Sequence, residues 1–183
     1  MPAEKINKIL FDQLFSDAEA KVFAILDGAS IPDLLKQVYE KKPAYLCLYR
    51  GELEPDMAVV APYVVELKPE TPFTEWVLGE GWGKHWGIFA VSREDLKVMR
   101  RHLRSLLQVK DYTGRQLNFR YYDPRVLRAY LPTCNAEDLT QVFGPISFLA
   151  LEGEDAGQLL KFSNGGEAAK VEQVSLAAKP NMI

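Results

Sequence analysis

The chain has 183 residues, of which 48% are hydrophobic, 26% charged and 11% aromatic, with a formal net charge of −3. That balance excludes disorder over the whole length, and the sign of the charge excludes a protein that wraps nucleic acid over its whole surface, leaving room only for a local basic strip. A domain of this length removes roughly 70% of its unfolded surface from water, enough to fold without metal or disulfide staples, and no apolar run approaches the roughly 20 residues that span a bilayer.

Ile6, Ile9, Leu10 and Leu14 recur at helical spacing and predict an amphipathic helix over residues 4–15. Because that segment mixes charge with apolar residues, it is not read as a signal peptide, and the protein is expected in the cytoplasm. VFAIL, residues 22–26, reads as a buried strand stopped by Asp27-Gly28. Ser30 and Asp33 form a capping pair for a helix whose apolar face is Leu34, Leu35, Val38 and Tyr39, ended at Lys41-Lys42-Pro43. YLCLY (45–49) reads as a second buried strand and VVAPYVVEL (59–67) as a third, placed at an edge or bulge by Pro62. Thr71 caps a short helix that has Pro72 at its first position and ends at Gly79.

The glycine-rich GEGWGKHWG (79–87) leads into a strand at 88–91, and Ser92 is expected to cap the longest helix, 93–108. Leu96, Met99, Leu103 and Leu106 form its apolar stripe, leaving Arg93, Lys97, Arg100, Arg101 and Arg104 outside. Residues 109–122 read as a hairpin turning at Asp111 to Gly114. Asp123 followed by Pro124 starts a helix with Val126, Leu127, Tyr130 and Leu131 on its buried stripe. Strands separated by helices, with a late hairpin, predict an α+β fold in which helices pack on a mixed β-sheet. Residues 1–163 are expected to be one domain. Residues 164–183 carry few large apolar side chains and are expected to be a tail, flexible or ordered by a partner.

The candidate chemistry is sparse. GEGWGKHWG matches neither GxGxxG nor GxxxxGK[ST], and Trp82 and Trp86 fit a loop folded onto the sheet. His85 would be an acid or base only with an orienting carboxylate, and none lies near it in sequence. His102, beside Leu103, reads as packed. With two histidines and no HExxH or HxH, no metal site or cofactor is expected; neither Cys47 nor Cys134 has ligand spacing, and both are expected as free thiols. Arg120, Arg125 and Arg128 exceed what a helix cap needs, which leaves either a structural ion-pair corner with Asp123 or an arginine-lined binding site. Arg93, Lys97, Arg101 and Arg104, spaced near four, form a basic flank that is either a solvated helix face or a contact for an acidic protein surface.

The ordered series FAILDGA, LCLYRGEL, VVAPYVVEL, GWGKHWGIFAVS, LKVMRRHLRSLLQV, NFRYYDPRVLRAYLPT and VFGPISFL, over about residues 20–150, resembles the family catalogued as domain of unknown function 4123. Its characterised members are type VI secretion adaptor chaperones. The resemblance implies a non-enzymatic protein that binds a cognate effector and assists its loading onto the VgrG spike. Trp82, Gly83, Trp86 and Gly87 match the family's loop, Arg101, His102 and Arg104 its long helix, and Arg120, Asp123, Pro124 and Arg125 its corner motif. Relatives commonly extend further beyond the shared region than this chain does after Leu149, so an effector surface on a larger C-terminal lobe is not expected here. Three rival readings stand beside this one: a small-ligand enzyme with His85 and Asp123 as acid and base, a nucleic-acid-binding module, and an oligomeric structural component of the secretion apparatus.

Overall fold

A computed structural model describes residues 2–176. In chain order the elements are α1 (Pro2–Leu14), β1 (Lys21–Asp27), α2 (Leu34–Lys41), β2 (Ala44–Cys47), α3 (Pro55–Val60), β3 (Pro62–Leu67), α4 (Pro72–Trp76), β4 (Gly87–Ser92), α5 (Leu96–Ser105), β5 (Gln108–Lys110), β6 (Gln116–Asn118), α6 (Pro124–Tyr130), α7 (Ala136–Phe143), β7 (Ile146–Glu152), β8 (Gln158–Asn164) and β9 (Ala169–Ser175). Seven strands form one sheet in the order β2-β3-β1-β4-β7-β8-β9, and β5-β6 is a separate hairpin. This is the α+β class expected, one sheet carrying helices. Each adjacent pair runs antiparallel, where a mixed sheet was expected. Helical crossovers do join strands of like direction, β1 to β2 and β3 to β4, but an antiparallel strand lies between the members of each pair.

The sheet separates two cores. On one face, Leu10 and Leu14 of α1, Leu34 and Val38 of α2 and Phe73 of α4 pack on Val22, Ala24, Leu26, Val65 and Val91. On the other, Met99 and Leu103 of α5, Leu127 of α6 and Leu139 and Phe143 of α7 pack on Phe23, Ile25, Val64, Ile88 and Leu149. The central strands are covered on both faces, so β1 and β4 read as unbroken apolar runs without alternation.

Several sequence expectations shift. Val59 and Val60 belong to α3, a short helix with Pro55 at its start, and not to the following strand. β3 is interior, between β2 and β1, and tolerates Pro62 because that residue is its first. β2, expected to be buried, is an outer strand with Ala44 and Tyr45 exposed. Ser30 does not cap α2: it lies in a 3-10 turn, where its hydroxyl donates to Asp27 Oδ2 at 2.8 Å. Ser92 likewise yields to Asp95, whose Oδ1 accepts from the amides of Lys97 and Val98, so the long helix begins at Leu96. The short helix starting at Pro72 ends at Trp76 and runs into a wider π-type turn, Val77–Gly81.

The segment expected to be a tail carries β9, paired with β8 over seven residues from Gln158↔Ser175 to Asn164↔Ala169. Its side chains are mostly exposed. Backbone ladder bonds, not apolar burial, hold it, which is why its composition did not announce a strand. The rest of that expected tail, residues 177–183, lies outside the described residues.

Candidate functional site

The longest helix after α1 has two faces of opposite use. Its inner stripe buries Met99 and Leu103. About 100° round the helix from that stripe, Arg100 and Arg104 reach the chain leaving β2. Arg104 Nε donates to the Leu48 carbonyl at 2.9 Å, and its Nη2 donates to Tyr49 O at 2.9 Å and Cys47 O at 3.3 Å; Arg100 Nε adds a bond to Cys47 O at 2.9 Å. Three successive carbonyls at the end of an outer strand are thereby satisfied by guanidinium donors. Burial first, then the like charges of Arg100 and Arg50, pulls Arg104 below the ordinary guanidinium pKa.

The basic flank expected from the sequence is therefore not one surface. Arg104 is turned inward. Arg93 precedes the helix and is tied to Asp17 and Glu19, both at 3.2 Å. Lys97 and Arg101 are exposed on α5. His102 is packed, as its position beside Leu103 suggested: a ring nitrogen lies 2.8 Å from Val142 O, and burial pushes its pKa down.

The corner motif divides between two carboxylates. Asp123 caps α6 through the Arg125 amide and takes a two-point fork from the Arg125 side chain, Nε at 3.0 Å and Nη2 at 2.8 Å. Burial acts to raise its pKa, but the Arg125 bonds outweigh it and hold the carboxyl below its ordinary range. Both oxygens are thus engaged locally. Arg120 instead donates to Asp27 Oδ2 at 2.6 Å, across 93 residues of sequence, and lies 5.9 Å from the Tyr122 ring. Asp27 is 2% exposed and also accepts from the Ala29 amide and the Ser30 hydroxyl. Tyr122 is held up to about 12 by burial, then by the neighbouring Tyr49 and Asp27 charges. Arg128 donates to the carbonyls of Glu152 and Gly153 at the end of β7.

The tryptophan loop is folded down on the sheet. Trp82 Nε1 donates to Ala156 O at 2.8 Å, the Trp82 ring stacks on Phe89 and Trp86 packs against Trp76. Gly83 has a φ of 86°, and a side chain at Gly87 would collide with the Ile25 carbonyl of the neighbouring strand. His85 does have an orienting carboxylate, contrary to its sequence surroundings: Nδ1 lies 2.6 Å from Glu152 Oε2, while Glu152 Oε1 accepts from the amides of Gly83 and His85. Glu152 is 67 residues away from His85, so no local signal could have found it.

Three arginines, Arg50, Arg104 and Arg120, line a groove of ≈ 890 Å³. Its walls include Tyr49 and Arg50 from the chain after β2, Leu53 and Met57 around α3, Arg104 from α5 and Arg120 with Tyr122 from the corner. Arg50, Met57 and Asp27 were not among the residues singled out by sequence. Arg50 follows the buried Leu48 by two positions and stands just before Gly51, whose φ is 77°; a charged residue at such a strand exit is the signal that was available.

The family model described as a domain of unknown function, DUF4123, matches residues 22–141, and the chain belongs to that family. No curated protein and no solved structure matches it. The matched span runs from β1 through most of α7 and contains the groove, the corner motif and the tryptophan loop. Among the described residues no helix is long and apolar enough to cross a membrane.

Replacing Arg104 with Met keeps an apolar stem but strands the carbonyls of Leu48 and Tyr49, while Arg100 still serves Cys47 O. A loss of about 2–3 kcal/mol in urea-denaturation stability is expected, against less than about 0.5 kcal/mol for Arg101→Met. Equal effects would return both residues to the solvated flank. A second expectation concerns acid. With His102 lowered in the folded state, the unfolded chain binds more protons below pH about 6.5, so stability contributed by the neutral ring falls as pH drops from there toward the folded pKa. His102→Gln, which retains a donor for Val142 O, should flatten the slope of melting temperature against pH between 6.5 and the onset of acid unfolding.

Proposed function

We propose that this chain is a non-enzymatic adaptor, or chaperone, that binds a type VI secretion effector and assists its loading onto the VgrG spike in the cytoplasm. The observation that carries this reading is the open groove, walled by apolar side chains and guanidinium groups and mounted on a sheet covered on both faces. A rigid concavity of that chemistry suits a segment of another protein. Membership of the DUF4123 family supports the reading, since the effector and the spike are the partners that resemblance implies.

One observation favours a second reading. His85 Nδ1 lies 2.6 Å from Oε2 of the buried Glu152, an imidazole beside a carboxylate as in a general base, although neither atom makes an aligned hydrogen bond. Asp123 does not serve as its partner, being held by Arg125. The space beside Glu152, lined also by Trp82, Trp86 and Phe89, is ≈ 10 Å³, room for about one water. The pair therefore serves better as a staple between the tryptophan loop and the end of β7 than as a site for a small ligand.

The test is co-expression of the tagged chain with the product of each neighbouring gene, followed by size exclusion with light scattering. Co-elution with a toxin-like neighbour at defined stoichiometry is expected, together with loss of that neighbour's secretion when the chain is deleted. Elution alone beside every neighbour, with the effector soluble and secreted in its absence, contradicts the proposal; a large homo-oligomer formed without any effector would favour a structural component.

A further inference from the structure

We propose that the groove framed by Arg50, Arg104 and Arg120 receives an acidic, partly apolar segment of the partner protein, an inference that takes from the adaptor reading only the partner's identity. The charge count carries it first. Three arginines line the groove against one acid, Asp27, and Arg120 already neutralises Asp27 at 2.6 Å. Arg50 is exposed and makes no hydrogen bond or ion pair among the described residues, while Arg104 feels Arg50 and Arg100 as like charges. In a chain whose formal charge is −3, the lining of this concavity carries a local excess of positive charge. The neighbouring acids, Glu52 and Glu54 of the same loop and Asp56 of α3, are exposed and pair with none of these arginines. Clustered guanidinium groups repel one another, and an incoming carboxylate relieves that repulsion while gaining forked hydrogen bonds.

The walls then decide the kind of anion. Met57 is 46% and Val60 41% exposed, so α3 presents two large apolar side chains beside the cationic floor. Methionine adapts to irregular apolar surfaces, and contiguous exposed apolar area beside charge marks an interaction site. A nucleic-acid backbone would use the charge and waste the apolar wall; a free phosphate would need neither Met57 nor Val60. An acidic segment with interspersed Leu, Ile or Phe uses both. Electrostatic complementarity of this kind fixes partner choice and register.

The full-length protein is titrated, by fluorescence anisotropy, with a synthetic peptide of alternating glutamate and leucine, its lysine-leucine counterpart and a single-stranded oligonucleotide. The same variants are run in co-elution with any neighbouring gene product captured. Arg50→Glu and Met57→Asp are each expected to weaken the glutamate-leucine peptide, and the captured neighbour, by about tenfold or more. Lys36→Glu, exposed on α2, should leave both unchanged. Arg50→Glu should not lower the melting temperature, because it removes a like charge beside Arg104, and this separates lost binding from lost folding. The proposal is overturned if a captured neighbour ignores Arg50→Glu and Met57→Asp, if with no neighbour captured the peptide ignores them, or if the oligonucleotide alone distinguishes them from wild type. Capture of a neighbour that ignores both variants leaves the adaptor reading standing and removes the groove. Peptide binding that needs Arg50 and Met57, with no neighbour captured, does the reverse.

Discussion

The grip of Arg104 on the carbonyls of Cys47, Leu48 and Tyr49 is the interaction on which the rest of the groove depends. An outer strand ends there, and a strand end offers acceptors that must find donors or face water. By supplying those donors from α5, the fold fixes where the following chain goes: past Arg50, round Gly51 and into α3. The anchor for the other side is the amide of Leu48, which donates to Pro62 O at 2.9 Å. With both ends tied to the sheet, the loop and α3 stand as a wall instead of collapsing onto the core.

The other arginines of the characteristic motifs do related work with different acceptors. Arg120 ties the corner to Asp27 at the end of β1, Arg125 closes on the cap of its own helix, and Arg128 reaches the carbonyls at the end of β7. These are largely structural roles, and each holds a strand end or a helix start in the layer shared by α5, α6 and α7. Arg120 is the exception in having a second exposure, since it borders the groove as well as bracing it. Arg50 differs from all of them: among the described residues it braces nothing, and a charge with no structural duty inside a concavity is the feature that points outward to a partner.

Much of this was legible in the sequence where the signals are local. The buried runs of β1 and β4, the hairpin turning at Asp111, and the Asp123-Pro124 start of α6 all follow from residues within one turn or strand of each other. α7 was missed although Asn135 and Asp138 form a reciprocal capping box, because short apolar content after Pro132 reads as loop. α3 was missed because Val59 and Val60 are β-branched and continue into a true strand, so propensity there masked the Pro55 start. β9 was missed because an outer strand can be held by its ladder alone.

The site was less legible, for a physical reason. A helical wheel places every arginine of α5 outside because guanidinium groups are polar, but Arg100 and Arg104 are long enough to cross to acceptors more than 50 residues away in sequence. Asp27 with Arg120 and His85 with Glu152 are separated by 93 and 67 residues. Periodicity reports which face a residue occupies, and it is silent on which distant strand end that face meets.

The most direct measurement is hydrogen–deuterium exchange of the free chain and of its complex with the co-purified partner. Protection on binding is expected at residues 48–60 and 104–122, the segments that wall the groove, with the exposed strand at residues 169–175 unchanged. Protection confined to residues 169–175, with 48–60 exchanging as in the free chain, would mean that the partner adds a strand to the β9 edge, and would contradict the account.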